Sequence, residues 1–214
     1  MSTSDPKTIE LARDNVVATN VGFEEYAEKY AAHFHEWVAG TVIKMSPIHE
    51  NHALLNMCLF NLFQIYFKRR PIGIVRPAPF TMKMPTVNRT REPDLQIILN
   101  NNPGQYTPTG MIGPADICIE IVSPGTIHVD HGEKFAEYEK AGVGEYWILD
   151  QIRNETRFYR LNEEGVYIPQ PVSSDGYYTT PTLPNFRLHV PMLWRKELPD
   201  AEEIVEIVKQ MLGA

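Results

Sequence analysis

Cysteine is scarce in this chain: Cys58 and Cys118 are the only two in 214 residues. Both stand among apolar neighbours, which excludes a disulfide-stapled fold and a thiolate zinc site. They read as buried free thiols in a reducing cytoplasm. Long apolar runs are missing too. The longest are broken after about eight residues, against the ~20 that a membrane helix needs. The opening MSTSDPKTIELARDN has no basic stretch followed by an apolar core, so it does not read as a signal peptide. Positive charge is in deficit, with 20 Lys and Arg against 27 Asp and Glu and a net charge of −7. That total gives no support to nucleic-acid binding, although an acidic active site and a local basic stripe are compatible with it. Lys68, Arg69, Arg70, Arg76, Lys83, Arg89 and Arg91 lie close together in sequence. They read either as a solvated edge or as a phosphate-facing patch.

What is present is ordinary globular composition, 43% hydrophobic and 22% charged, with no internal repeat. Residues 1–21 read as a partly disordered lead-in, and 22–214 as a single domain. Helical spacing predicts a helix over 22–32, and a long one over 50–69 that is apolar almost all round and so buried or covered by a partner. Strands are expected at 34–38 and 41–45 with a tight turn at Ala39-Gly40, and at 73–84 with a bend at Pro77–Pro79. Further strands are expected at 94–99, 115–122 and 144–150. Ser123-Pro124-Gly125 reads as a stop. Asp130-x-x-Glu133 has capping-box spacing for the next helix, and Gly142 suits its C-terminus. Three short stretches, 156–161, 166–170 and 176–180, read as a meander before a last helix opened by Pro199-Asp200. The sum is a mixed α/β (α+β) fold, a central mixed sheet flanked by helices with an added C-terminal β-meander.

Alternation along 115–122 puts Ile117, Ile119 and Ile121 on one face and Asp116, Cys118, Glu120 and Val122 on the other. Glu120 is thus a carboxylate near the end of an otherwise apolar strand, which is costly unless it is partnered. Asp94, after Pro93, opens another apolar strand. Two such carboxylates at neighbouring strand ends suit a hard divalent cation, which takes oxygen ligands and keeps several waters. Lys134, early in the helix after the Glu120 strand, can reach back to orient or deprotonate a water and offset phosphate charge. On spacing alone the alternatives stay open: a turn or cap aspartate, and a strand-end Glu paired with an Arg.

The ordered set Glu92-Pro-Asp94-Leu, Ala115-Asp-Ile-Cys-Ile-Glu120-Ile-Val-Ser-Pro124, Asp130-x-x-x-Lys134-x-x-x-Tyr138 and Gly142-Val-Gly-Glu-Tyr-Trp-Ile-Leu-Asp150 resembles the Uma-two family of restriction endonucleases. The early Glu36-x-x-x-Gly40, Met45-Ser-Pro47, His52 and the later Thr180–Phe186 fit as well, so the resemblance spans about residues 22–195. The family is placed in the PD-(D/E)XK nuclease superfamily. The resemblance implies a restriction-endonuclease-like core, Mg²⁺ or Mn²⁺, and hydrolysis of DNA phosphodiester bonds. Asp94 and Glu120 become the metal ligands and, with Lys134, the catalytic set. The superfamily lysine would fall at position 122, which is Val122 here, so Lys134 stands in for it. Thr41 replaces an acidic residue common after the early glycine.

His52 reads either as a site residue or as a local helix-start residue, and Glu36 as a possible accessory. Asp130 is expected to be an N-cap and Tyr138 to pack in the core. Trp147 is expected in the core and Asp150 in a turn. Ser123 lacks a Gly-x-Ser-x-Gly elbow, so a serine hydrolase is not indicated. Three readings compete: a Mg²⁺-dependent endonuclease, a catalytically degenerate nuclease fold that binds nucleic acid or scaffolds, and a homodimer built on the helix at 50–67.

Overall fold

The computed structural model describes residues 16–33, 35–44, 49–123 and 129–213. The expected features at 1–15, Phe34, Met45–Pro47 and Pro124-Gly125 lie outside these. In chain order the elements are β1 (Val16–Ala18), α1 (Phe23–Lys29), β2 (His35–Val38), β3 (Thr41–Lys44), α2 (Glu50–Arg69), β4 (Gly73–Pro77), β5 (Thr81–Met84), β6 (Arg89–Arg91) and β7 (Leu95–Leu99). There follow β8 (Gln105–Tyr106), β9 (Gly110–Ile112), β10 (Ile117–Val122), α3 (Lys134–Ala141), β11 (Glu145–Asp150), β12 (Glu155–Leu161), β13 (Tyr167–Gln170), β14 (Tyr177–Thr179), β15 (Arg187–His189) and α4 (Ala201–Leu212).

A six-stranded sheet in the order β13-β12-β11-β10-β7-β4 forms the centre, and a seven-stranded sheet in the order β1-β3-β2-β6-β5-β9-β8 stands beside it. The chain passes from one sheet to the other at the Pro77–Phe80 bend, between β4 and β5. Ala39 (φ 48°) and Gly40 (φ 89°) both take the left-handed conformation. That is what a two-residue hairpin between β2 and β3 demands. The stretch expected as a lead-in is partly built into the fold: β1 pairs antiparallel with β3, and Val21 is buried.

β10 is buried along its whole length, paired in parallel with β11 and antiparallel with β7. Its isoleucine face joins α2, α4, Trp147 and Phe186 in one core cluster. Its other face, with Cys118 and Val122, joins Tyr138, Tyr146 and methionines 82, 84 and 111 in a second, which lies against the seven-stranded sheet. The apolar girth of α2 is therefore met by the central sheet and by α4. Leu54 and Met57 remain exposed at its start. Both cysteines are buried and free. Of the expected meander, β12 and β13 continue the central sheet from β11, while β14 pairs with β15 instead. No helix of the described residues is long and apolar enough to cross a membrane.

This burial sets a test. Leu62→Ala, at a fully buried position, is expected to cost about 2–5 kcal/mol in urea denaturation. Leu54→Ala, at a half-exposed one, is expected to change a monomer's stability little. A concentration-dependent loss in Leu54→Ala would instead place that residue in an interface between copies.

Candidate active site

Asp94 precedes β7, and β10 runs antiparallel to β7 with Ile119 opposite Leu95. One step further along this register, Asp94 comes opposite Glu120. The backbone N–H of Ile121 donates to Asp94 Oδ2 at 2.7 Å. His52, in the first turn of α2, reaches the same oxygen with Nε2 at 3.1 Å. His52 thus makes a long-range contact to Asp94 rather than the local helix-start hydrogen bond. Burial works against a charge on its imidazole, but the hydrogen bond and charge of Asp94 outweigh it, so the proton is held to higher pH than usual.

The Glu120 side chain meets α3. Lys134 Nζ lies 2.9 Å from Oε2, and the Tyr138 hydroxyl donates to Oε1 at 2.7 Å. Lys134 also pairs with Asp130 Oδ1 at 3.0 Å. Asp130 is thus not the cap its spacing suggested. It lies in a π-helical turn over Val129–Glu133 that leads into α3, and its carboxylate faces one turn onward to the ammonium, at i,i+4 spacing. The Asp130–Lys134 spacing carried this signal, and the capping-box pattern concealed it. Tyr138 packs in the core as expected, yet its hydroxyl belongs to the site. Nothing in its sequence position announced that beyond one helical turn from Lys134.

Burial, with the charges of Asp130 and Asp94 behind it, holds the Glu120 carboxyl well above the usual carboxylate range in spite of Lys134. The site is short of positive charge. The carboxylates Asp130, Glu120 and Glu36 together outweigh burial and keep Lys134 protonated. The lysine is therefore an ammonium donor and a counter-charge, and a poor base as it stands.

Glu36 sits one layer back. Its Oε2 accepts from Arg91 Nη1 at 2.7 Å, with both side chains buried. Arg91, which spacing did not single out, also donates to both oxygens of Glu137 on α3, at 2.9 and 3.1 Å. Arg89 holds the same carboxylate at 2.9 Å. The basic group in the sequence is thus neither a free edge nor a continuous patch: Arg89 and Arg91 are committed to carboxylates, Lys83 lies over the Phe23 ring, and Lys68 and Arg69 are exposed.

A hard divalent ion fits the donor chemistry. Asp94 and Glu120 present oxygen, the ligand type such an ion prefers, and an added cation would offset the burial that pushes the Glu120 carboxyl up. Asp94 is the open side, with 18% of its side chain exposed against 3% for Glu120. Among the described residues no group of three or more His, Cys, Asp or Glu is arranged to hold a metal. A cavity of about 1050 Å³ lies elsewhere, between the starts of α2 and α4, and neither Asp94 nor Glu120 lines it.

The family described as "Uma2: Putative restriction endonuclease" matches residues 23–191. The chain belongs to this family. Among solved structures it is similar to one titled a "putative nuclease belonging to DUF820 from Anabaena variabilis ATCC 29413". That similarity covers 86% of this chain and 97% of the other, with 14% identity and a TM-score of 0.59. At that identity the likeness speaks for the fold, a mixed α/β nuclease-like one. No curated protein matches the chain. The family assignment covers every residue of the Asp94–Glu120–Lys134 cluster, as well as His52, Glu36 and Tyr138.

Tyr138→Phe removes the donor from a buried carboxylate oxygen and leaves volume almost unchanged. It is expected to cost about 1–3 kcal/mol in chemical denaturation. No change would mean that the hydroxyl is not engaged with Glu120.

Proposed function

We propose that the chain is a Mg²⁺- or Mn²⁺-dependent endonuclease that hydrolyses phosphodiester bonds of DNA. What supports this reading is that Asp94 and Glu120 stand opposite each other in the β7–β10 register, with the Lys134 ammonium 2.9 Å from Glu120. Asp94 and Glu120 would hold the ion, which when bound supplies charge for a phosphate and acidity for a water. Asp94, fixed by the Ile121 amide and His52, faces the open side where a phosphate backbone can approach. Lys134 would orient the attacking water and offset negative charge on the phosphate, since as an ammonium it donates hydrogen bonds rather than accepting a proton. His52 anchors Asp94, and Glu36 supports the cluster from behind.

Such an enzyme would act in the cytoplasm. A homodimer would place two sites about a two-fold axis and so address both strands. The exposed Leu54 and Met57 on α2 are where sedimentation of the parent and a Leu54→Asp variant would show it.

A second reading has an observation of its own. Both oxygens of Glu120 are already engaged, by Lys134 and Tyr138, as in a site closed upon itself. On that reading the fold is catalytically degenerate and serves as a nucleic-acid-binding or scaffolding module.

Plasmid cleavage separates the two. With Mg²⁺ or Mn²⁺ the parent is expected to nick or linearise DNA, and Asp94→Asn or Glu120→Gln to lose at least ~100-fold with the fold intact. If both variants cut as well as the parent, the assignment of these two residues is wrong. Salt-sensitive DNA binding without cleavage by the parent would favour the second reading.

A further inference from the structure

The seven-stranded sheet contributes no residue to the Asp94–Glu120–Lys134 cluster, yet two of its strands are wired to the helix that does. Glu36 on β2 and Arg91 on β6 face each other one step beyond the Trp37–Thr90 pair of the β2–β6 register. The Arg91 side chain is 2% exposed. A guanidinium so deeply buried needs its donors filled and its charge met. Glu36 takes one end at 2.7 Å, and Glu137 takes the other through two bonds, at 2.9 and 3.1 Å. Glu133 stands 3.6 Å away. The fork is planar and rigid, so two bonds to one carboxylate fix direction as well as distance.

Glu137 lies on α3 between Lys134 and Tyr138, the two residues whose polar atoms meet Glu120. Positions three apart on a helix share a face, so gripping Glu137 also sets the rotation that presents Lys134. Arg89, two residues before Arg91 on β6 and hence on the same strand face, closes on Glu137 from the side at 2.9 Å. Among the described residues no other acidic side chain of α3 receives two arginines.

We propose that Arg91, backed by Glu36, is a positioning residue: through Glu137 it fixes the rotation of α3 so that Lys134 and Tyr138 meet Glu120. The catalytic part of this statement rests on the nuclease reading above, and the structural part does not. Glu36 is then the counter-charge that keeps the Arg91 fork aimed at α3, and it adds its own negative charge near Lys134.

The test uses Glu137→Gln in the full chain, because Glu137 is at the surface end of the network and keeps its shape as Gln. Arg89→Met serves as the second variant should the first fail to fold, since the Arg89 side chain is 28% exposed. Crystal structures come first. Lys134 Nζ, 2.9 Å from Glu120 and 3.0 Å from Asp130 in the parent, is expected to leave Glu120 in the variant. If it stays on both carboxylates, the proposal is overturned whatever the activity. Cleavage of supercoiled plasmid with Mg²⁺ comes second. Glu137→Gln is expected to lower kcat about 10- to 100-fold, as loss of an outer partner of a site does, with KM nearly unchanged. Added to Lys134→Met it should cause no further loss, because it acts through that lysine. Multiplying losses would show a separate, general effect on the fold and would reject positioning. A parent that never cleaves DNA would defeat the nuclease reading and leave the crystallographic distance to decide the positioning claim.

Discussion

The Lys134 ammonium, buried between the Glu120 and Asp130 carboxylates, is the contact around which the two faces of the molecule are arranged. Taking a lysine and two carboxylates out of water costs several kcal/mol per ion, and mutual attraction does not reliably return it. Apolar residues of similar volume would hold α3 on the sheet at least as well. A cluster of this kind is therefore poor engineering for stability alone. Its geometry makes sense if one partner is meant to be shared with something arriving from outside.

The surrounding structure answers the need to hold these charges still. β10 carries Glu120 with no residue exposed, so the strand cannot shift without disturbing both cores. Asp94 is tied to it by a backbone amide rather than a side chain, which makes its distance from Glu120 a property of the sheet register. Lys134 arrives from a helix, and a helix can rotate. That freedom is removed by the guanidinium fork of Arg91 on Glu137, backed by Glu36. The lysine is thus held directly by Asp130 and Glu120, and its helix is held by a second sheet.

This division explains what could be read in the amino-acid sequence. β10, α2 and the β2–β3 turn were legible because each is dictated locally, by alternation, by helical apolar spacing, and by Ala39-Gly40. Asp94 and Glu120 were legible as carboxylates misplaced in apolar strands, and the family motifs then ordered them with Lys134. Asp130 was misread because its spacing to Glu133 suits a cap, whereas its spacing to Lys134 suits an ion pair. A sequence does not say which of the two a buried ammonium will enforce. Arg91 was invisible for a different reason. Its partners lie 55 and 46 residues away, and in the linear text it is one member of a basic group that looks solvated.

The position of Val122 makes the same point at the level of the site. A lysine there would sit on the strand itself, two residues from Glu120 and on the same face. The observed solution fills that place with a residue of the second apolar core and brings the ammonium across from α3. The side chain that matters for phosphate chemistry is defined by where its nitrogen ends, and a longer route to one location is open whenever the helix supplying it can be locked. A strand-borne lysine needs no lock, because the register already fixes it. A helix-borne one does, and on the nuclease reading the buried Arg91, between its own sheet and α3, would supply that lock.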